Sequence, residues 1–100
     1  MTEPFAELAG LDKLIHEPAR LAIMTALAAC ERADFQFLQR LTGLTKGNLS
    51  SHLGKLETAH FVDIEKQFVG KKPNTMVSLT LDGRHAIDHH WQQLNELRQW

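Results

Sequence analysis

The chain has 100 residues, of which 43% are hydrophobic, and its 11 basic and 12 acidic side chains give a formal net charge of −1. This length predicts one domain over residues 1–100, and the hydrophobic fraction excludes wholesale disorder. The longest apolar run is about ten residues, roughly half of a membrane span, and the N-terminus lacks the pattern of a secretory signal. The single cysteine, Cys30, cannot form an internal disulfide. We therefore expect a cytoplasmic protein with no membrane partner.

The charge is distributed unevenly along the chain. Residues 1–35 carry a net charge of −3, whereas residues 36–81 carry six basic against three acidic side chains, a net charge of +3. Residues 82–100 return to −1. Association with a polyanion depends on the local potential more than on the total charge. The near-neutral sum therefore does not exclude a nucleic-acid partner, and the middle segment is the candidate binding region.

Two helices are predicted in the acidic first third of the chain. Apolar residues at helical spacing predict a short helix over about 8–15. The second begins at Pro18, because a proline at the first helical position lacks only a donor that the helix does not use. An apolar stripe then continues to about Cys30.

The next segment predicts a helix-turn-helix over about 35–59. Asp34 is a suitable N-cap for a helix that Gly43 can end in the left-handed conformation. Thr45 can cap a following helix with leucines on one face, so only a very tight turn separates the two helices. Two short helices joined in this way are typical of a helix-turn-helix unit.

The pattern changes to alternation after residue 61. Apolar residues alternate with polar ones over 62–68 and again over 76–79, which predicts two strands joined by a turn over 69–74. This hairpin is a wing over about 61–80, and Thr80 can cap a long final helix over about 81–100. The predicted fold is mainly α with a small antiparallel β-hairpin, an α+β winged helix-turn-helix with a long C-terminal helix.

The sequence also resembles a known family. Residues 44–57 (LTKGNLSSHLGKLE) resemble the recognition helix of small winged helix-turn-helix transcriptional regulators of the MarR/ArsR-like kind, and residues 66–75 and 78–84 resemble their wing and final-helix start. The resemblance implies a dimeric DNA-binding transcriptional regulator of bacterial or archaeal type. The family pattern usually has glycine just after the recognition helix, where this chain has His60. Histidine tolerates positive φ better than most residues, so the turn should survive.

Candidate DNA-binding residues follow from the predicted helix and wing. Small and polar side chains on the outer half of the recognition helix suit entry into a major groove about 12 Å wide. Asparagine can pair with adenine, and lysines can contact phosphates without reading sequence. The recognition-helix candidates are Lys46, Gly47, Asn48, Ser50, Ser51, His52 and Lys55. The wing candidates are Lys71, Lys72 and Asn74.

The final helix predicts self-association. Its apolar stripe extends beyond what a domain this small can cover, so a homodimer seam is the favoured interpretation. The predicted seam consists of Leu8, Leu11, Trp91, Leu94, Leu97 and Trp100. A two-fold dimer would place two recognition helices about 34–36 Å apart on a near-palindromic operator. An unknown small-molecule effector could act at this seam or in a cleft between the two modules.

Two alternative functions stay open at this point. One is a metal-responsive repressor with a site on the final helix, for which His85, Asp88, His89 and His90 are weak candidates. The other is a winged helix that binds protein, which gains support if Asp63 and Glu65 interrupt the basic face. The sequence contains no phosphate loop, zinc-protease helix or dinucleotide fingerprint, so we predict neither an enzyme nor a cofactor.

Overall fold

The computed structural model describes residues 10–98 and contains four helices and three strands in that range. In chain order these are α1 (Pro18–Ala29), β1 (Ala33–Asp34), α2 (Phe35–Thr42), α3 (Lys46–Thr58), β2 (Val62–Val69), β3 (Lys72–Leu79) and α4 (Leu81–Leu97). The strands form an antiparallel sheet in the order β1-β3-β2. The predicted winged helix-turn-helix with a long C-terminal helix is confirmed. Within 10–98, no helix combines the length and the apolar character that a membrane crossing requires.

The helix starts follow the predicted capping residues. The side chain of Asp34 accepts a hydrogen bond from the amide of Phe37 at 2.7 Å, which satisfies one of the free donors at the start of α2. Thr45 and Thr80 cap α3 and α4 through equivalent bonds of 3.1 and 2.9 Å. Gly43 ends α2 with φ of 70°. Local capping chemistry therefore sets these boundaries.

Two elements differ from the sequence prediction. Residues 10–17 form turns, so the predicted helix over about 8–15 is wrong for its described part, and Leu8 lies outside the described residues. The short strand β1 was not predicted, because two residues are too few to show alternation. It pairs Ala33 with Val77 and thereby fixes the start of α2 to β3.

The wing turn is tighter than predicted. The strands continue to Val69 and restart at Lys72, so only Gly70 and Lys71 form the turn. Gly70 has φ of 67°, and a glycine at the first central position is typical of the type II′ turn that suits the twist of a hairpin. The predicted turn over 69–74 was too long because Pro73 and Asn74 belong to β3.

The core lies where the three α3 leucines meet α1, the sheet and α4. Leu49, Leu53 and Leu56 are all buried, as their spacing predicted, and so are three side chains of α1. The remaining core members include Ile15, Ala33, Leu38, Val62, Val77 and Ile87. Because α3 buries one face completely, its opposite face is held outward by the same contacts.

A tight junction joins the end of α3, the base of the wing and the start of α4. His60 has φ of 63°, and the amides of His60 and Phe61 donate to the carbonyls of Glu57 and Leu56, each at 2.9 Å. This pattern is the Schellman motif, with histidine in place of the usual glycine. The predicted positive φ of His60 is therefore confirmed.

The start of α4 packs against the backbone of this junction. Gly83 is buried, and a Cβ built on it would lie 2.0 Å from the carbonyl oxygen of Phe61. That carbonyl also accepts the amide of Thr80 at 3.0 Å, so it cannot move without losing a hydrogen bond. Only glycine fits at this contact.

We expect Gly83→Ala to lower the free energy of unfolding by about 1–3 kcal/mol, because the added methyl overpacks a backbone contact. Gly54→Ala is the matched control, since nothing lies within 4 Å of a Cβ at this position in α3. Alanine is the better helix former, so the control should gain up to about 1 kcal/mol. Urea denaturation of both variants measures the difference, and equal stabilities would contradict the close contact.

The turns over residues 10–17 are attached to α4 by a histidine pair. His16 Nδ1 and His90 Nε2 share a hydrogen bond of 3.0 Å, and His90 is 1% exposed. His90 Nδ1 is buried without a partner among the described residues. The burial of His90 was not predicted from the sequence, and Trp91, which the sequence places in the dimer seam, is 41% exposed.

Burial lowers the pKa of His90 from its ordinary value of 6.5, and the neighbouring His16 adds to this effect while Asp12 opposes it. The unfolded chain therefore binds a proton at a higher pH than the folded chain does. The stability contribution of neutral His90 is complete above about pH 6.5 and declines as the pH falls below it.

We expect His90→Gln to flatten the loss of stability between about pH 7 and pH 5, because glutamine stays neutral at every pH. The wild-type slope attributable to this residue can reach about 1.4 kcal/mol per pH unit. Urea midpoints at several pH values provide the measurement. His85→Gln, at an exposed position of the same helix, should leave the slope unchanged.

Candidate nucleic-acid interface

The outer face of α3 presents a small, polar surface. Lys46, Gly47, Asn48, Ser50, Ser51 and Lys55 are all exposed, whereas the leucines on the other face are buried. Asn48, Ser51 and Lys55 have i, i+3 and i+7 spacing and so form one stripe along the helix. This face carries polar side chains that can reach base edges and phosphates.

His52 differs from the other candidates on α3, because it turns towards α1. Its side chain is 19% exposed, and its Nδ1 accepts a hydrogen bond from Arg20 Nη1 at 3.1 Å. Arg20 Nε also donates to the carbonyl oxygen of Leu14 at 2.6 Å. Arg20 thus ties α3 to the turns that precede α1, and His52 has a positioning role in this geometry.

Glu17 completes the cluster around Arg20. Its carboxylate accepts the amide of Arg20 at 2.9 Å and lies 3.7 Å from His52 Nδ1. Burial raises the pKa of Glu17, but the backbone hydrogen bonds from Arg20 and Ala19 and the nearby charges outweigh burial, so the pKa is lowered from 4.5. A carboxylate at the N-terminus of α1 also interacts favourably with the helix dipole.

The wing projects its lysines beside α3. Lys71 and Lys72 are exposed at the turn, and Asn74 is half-buried with its Nδ2 3.4 Å from Met76 Sδ. Strand register places Lys66 opposite Thr75, on the same face of the hairpin as Ile64. This face looks towards the helix-turn-helix.

An open groove of about 1260 Å³ separates the wing from the helix-turn-helix. We call it the wing groove. Its floor and walls come from the start of α2, one side of α3 and the distal half of the hairpin. Basic side chains from three different elements meet there: Lys46 at the start of α3, Lys66 in β2 and Lys72 in β3. The predicted candidates Ser50 and Asn74 also line it.

The acidic residues of the wing lie away from this groove. Asp63 and Glu65 alternate with Ile64 and Lys66 along β2, which places them on the opposite face of the hairpin. Glu65 is moreover paired with Arg32 at 3.1 Å. Glu57 and the capping residue Asp34 are the acids among the lining residues. The acids that could have interrupted the basic face therefore do not do so.

Several groove residues were missed by the sequence prediction. Lys66, Gln36, Gln39 and Thr75 all line the wing groove. Alternation along β2 could have placed Lys66 on the face of Ile64, since strand side chains repeat every second residue. The glutamines carry no such signal, because their approach to the wing depends on how α2 packs against the sheet.

Comparison with known proteins decides the family. Residues 19–98 match the family described as winged helix DNA-binding domain. The chain belongs to this family. It is a winged-helix DNA-binding transcriptional regulator, as the residues predicted, and the family is non-enzymatic.

The chain is also similar to individual proteins in sequence or in fold. The uncharacterised protein MJ0432 of Methanocaldococcus jannaschii is 31% identical over 85 residues, which cover 85% of this chain and 92% of that protein. The structure of a transcriptional regulator homologue from Pyrococcus horikoshii OT3 superposes with a TM-score of 0.85 at 30% identity, covering 94% of this chain and 95% of the other. A MarR-family regulator from Silicibacter pomeroyi shares the fold, with a TM-score of 0.71 at 21% identity over 95% of this chain and 61% of the other.

The residues of the predicted dimer seam fall into three groups in this winged-helix regulator. Leu8 and Trp100 lie outside the described residues. Leu11 is 6% exposed and packs within its own chain, so it offers little surface to a partner. Leu94 and Leu97 are half-buried, and Trp91 is 41% exposed while its indole Nε1 donates to Thr25 at 3.0 Å. Of the predicted seam residues that the structure describes, those with exposed surface lie on the outer side of α4.

The four weak metal candidates do not converge on one point. His85, Asp88 and His89 are exposed on α4, whereas His90 is buried against His16. Across residues 10–98, no three His, Cys, Asp or Glu side chains are grouped so that they could hold a metal ion. The helical geometry of α4 separates residues that are adjacent in sequence.

We expect Arg20→Ala to lower the free energy of unfolding by about 1.5–3 kcal/mol, because it removes hydrogen bonds from a charged group that is 11% exposed. Arg32→Ala is the matched control. Its ion pair with Glu65 is exposed and should contribute at most about 1 kcal/mol. Chemical denaturation measures the free energy of unfolding of both variants. Equal losses of stability would contradict the larger contribution expected from the hydrogen bonds of Arg20.

Proposed function

We propose that this regulator acts as a homodimer in the cytoplasm and binds a near-palindromic operator in a sequence-specific manner. The wing groove carries the proposal, because it brings lysines of α3, β2 and β3 to one concave surface between the outer face of α3 and the wing. A duplex has the complementary shape. Between a major groove and the next minor groove runs a ridge of phosphates, and a recognition helix and a wing can straddle that ridge.

The outer face of α3 is assigned to the major groove. Asn48 can form a bidentate pair with adenine, and Ser51 can donate to or accept from a base edge. Gly47 leaves room for close approach, since nothing lies within 4 Å of a Cβ built there. We assign these side chains to recognition of the base sequence, and Lys55 to a phosphate contact.

The lysines of the wing groove are assigned to the phosphate ridge. Lys46, Lys66 and Lys72 carry no sequence information in this role but fix the register of the protein on the duplex. Lys71 extends the same positive potential to the end of the wing. Because the whole chain has a net charge of −1, binding should be modest in strength and sensitive to salt.

Self-association through the outer side of α4 completes the proposal. Trp91 leaves a large aromatic surface exposed there, and Leu94 and Leu97 continue the apolar stripe at helical spacing. A two-fold axis through this stripe would present two copies of α3 to successive major grooves. An unknown small-molecule effector bound at this seam, or in a cleft between the two modules, would act by changing the spacing of the two helices.

Selection from a random duplex pool tests the central claim. The full chain should enrich a motif whose two halves are related by two-fold symmetry, with centres about 10 base pairs apart. Asn48→Ala should relax the preference at one position in each half. Failure to enrich any sequence at low salt would overturn the proposed function and favour a protein partner.

We expect Lys71→Ala/Lys72→Ala to weaken binding to all duplexes and to flatten its salt dependence. Each lost phosphate contact lowers the slope of log K against log salt by about 0.9, which amounts to about 3.6 for the four lysines of a dimer. Titrations at several salt concentrations measure the slope. Lys13→Ala, an exposed lysine outside the groove, is the control, and a wild-type slope in the double variant would contradict the assignment.

We expect the wild-type chain of 11.3 kDa to sediment as a dimer at micromolar concentration. Trp91→Glu/Leu97→Glu should convert it to a monomer, because charge is costly in an apolar seam. Leu41→Glu, at a position of α2 that is 53% exposed, serves as the control and should remain dimeric. A monomeric wild-type protein would remove the homodimer from the proposal.

A further inference from the structure

The contact with Arg20 fixes the tautomer of His52. Arg20 Nη1 lies 3.1 Å from His52 Nδ1, and arginine can only donate hydrogen bonds. Nδ1 is therefore the acceptor in this contact, so the neutral imidazole carries its proton on Nε2. Residues 10–98 supply no hydrogen-bond partner for Nε2. The recognition helix thus holds an N–H donor that the described part of the chain does not use.

Arg20 is itself held in place by the groups around it. Its Nε donates to the carbonyl oxygen of Leu14 at 2.6 Å, and its amide donates to the carboxylate of Glu17 at 2.9 Å. The same carboxylate lies 3.9 Å from Arg20 Nη1, so the charge of the guanidinium is balanced within the cluster. A guanidinium anchored in this way holds the imidazole ring of His52 in one orientation.

His52 lies on the flank of α3 that faces away from the wing. Lys46 and Ser50 line the wing groove, whereas His52 does not. Ser50 and His52 are about 200° apart around the helix axis, since each residue of a helix advances by about 100°. Asn48, four residues before His52, and Lys55, three residues after it, share its flank and are exposed. The ring therefore borders the polar face of α3 on the side opposite the wing groove.

A helix in the major groove approaches both phosphate backbones that border the groove. The major groove is about 12 Å wide, and a helix with its side chains is about 10–12 Å across. The flank of α3 beside the wing groove is assigned to one backbone, so the flank that carries His52 faces the other. Phosphate oxygens only accept hydrogen bonds and carry negative charge, which strengthens a bond from an N–H donor. The tautomer of His52 therefore matches the chemistry of the second backbone.

We propose that His52 donates from Nε2 to a phosphate of the DNA backbone on the side of α3 away from the wing, and that Arg20 is the positioning residue that keeps His52 in this tautomer. This inference rests on the proposed function. Lys55, nearly one turn further along α3, supplies charge at the same backbone, whereas His52 supplies a donor of fixed direction. The two backbones of the major groove are then held by different parts of the protein, and α3 is centred between them.

Two amide substitutions separate the two sides of the ring. The amide group of asparagine occupies about the position of Nδ1, whereas the amide nitrogen of glutamine reaches about the position of Nε2. His52→Asn can still accept from Arg20 but lacks the outer donor, so it should bind the duplex that the wild type enriches roughly 10-fold more weakly. His52→Gln keeps the outer donor and should bind within about threefold of the wild type. A purely internal role of His52 predicts the opposite order of affinities.

Ethylation interference locates the contact on the duplex. Ethylation removes the charge of a phosphate and blocks one of its oxygens, so it weakens contacts made to that phosphate. Binding of the wild type should be sensitive to ethylation on both backbones of the major groove. His52→Asn should lose this sensitivity at one phosphate in each half of the site and keep it elsewhere. Lys72→Ala is the matched comparison and should lose sensitivity on the other backbone, because Lys72 lines the wing groove.

Nitrogen NMR of the histidine rings tests the role of Arg20. At about pH 8 an ordinary histidine is neutral, and the shifts of the two ring nitrogens show which one carries the proton. The wild-type signal of His52, identified by its absence from His52→Gln, should show a protonated Nε2 and should shift when the duplex is added. Arg20→Ala should show a mixture of both tautomers and weaker binding. Arg32→Ala, which removes an exposed ion pair with Glu65, should keep the wild-type tautomer.

Three results would overturn the inference, each in a distinguishable way. If the wild type binds no duplex, the proposed function fails and the inference fails with it. If the wild type binds but His52→Asn binds at least as tightly as His52→Gln, or the Nε2 signal does not shift on binding, only the phosphate contact is wrong. If the wild-type ring carries its proton on Nδ1, Arg20 does not set the tautomer. The Nε2 measurement uses the wild type alone, so it decides the contact even for a variant that does not fold.

Discussion

The junction around Phe61 is the constraint on which the rest of the structure depends. Its amide closes the C-terminus of α3, its carbonyl accepts the amide of Thr80, and the hydroxyl of Thr80 donates to the carbonyl of His60 at 2.7 Å. Gly83 packs directly on the same carbonyl. Four elements, α3, β2, β3 and α4, are thereby fixed at one point, and the angle between the recognition helix and the wing is set there. The wing groove exists because this angle is held open by backbone hydrogen bonds rather than by flexible side chains.

A second set of polar contacts connects the N-terminal turns with both functional helices. Arg20 joins these turns to α3 through Leu14 and His52, and His16 joins them to α4 through His90. The turns over 10–17 therefore lie between the helix assigned to DNA and the helix assigned to self-association. These hydrogen bonds are partly buried, where the lower dielectric strengthens them. They therefore contribute to the position of α3 as well as to the stability of the fold. His52 belongs to this framework even though it is part of the recognition helix.

Much of the fold was predictable because its signals are local. Asp34, Thr45 and Thr80 each define a helix start, and the α3 leucines define a buried face without knowledge of what covers it. The exposed polar face of α3 follows from the same leucines. The two-residue strand β1, the early restart of β3 and the turns over 10–17 were not predictable, because each depends on pairing or packing with residues distant in sequence. The burial of His90 on α4 was not predictable for the same reason.

The sequence was sufficient to predict α1, the helix-turn-helix, the hairpin and α4 in their order, the outward face of α3 and the location of the positive charge between residues 36 and 81. Those properties arise from capping, periodicity and charge within short segments. Which charges lie on one surface depends on the packing of distant segments. It brought Lys66 into the wing groove beside Lys46 and Lys72, placed Glu65 on the opposite side with Arg32, and turned His52 towards Arg20. The net charge of −1 does not reveal this arrangement, because the electrostatic potential at a bound phosphate depends on where the fold places the charged side chains.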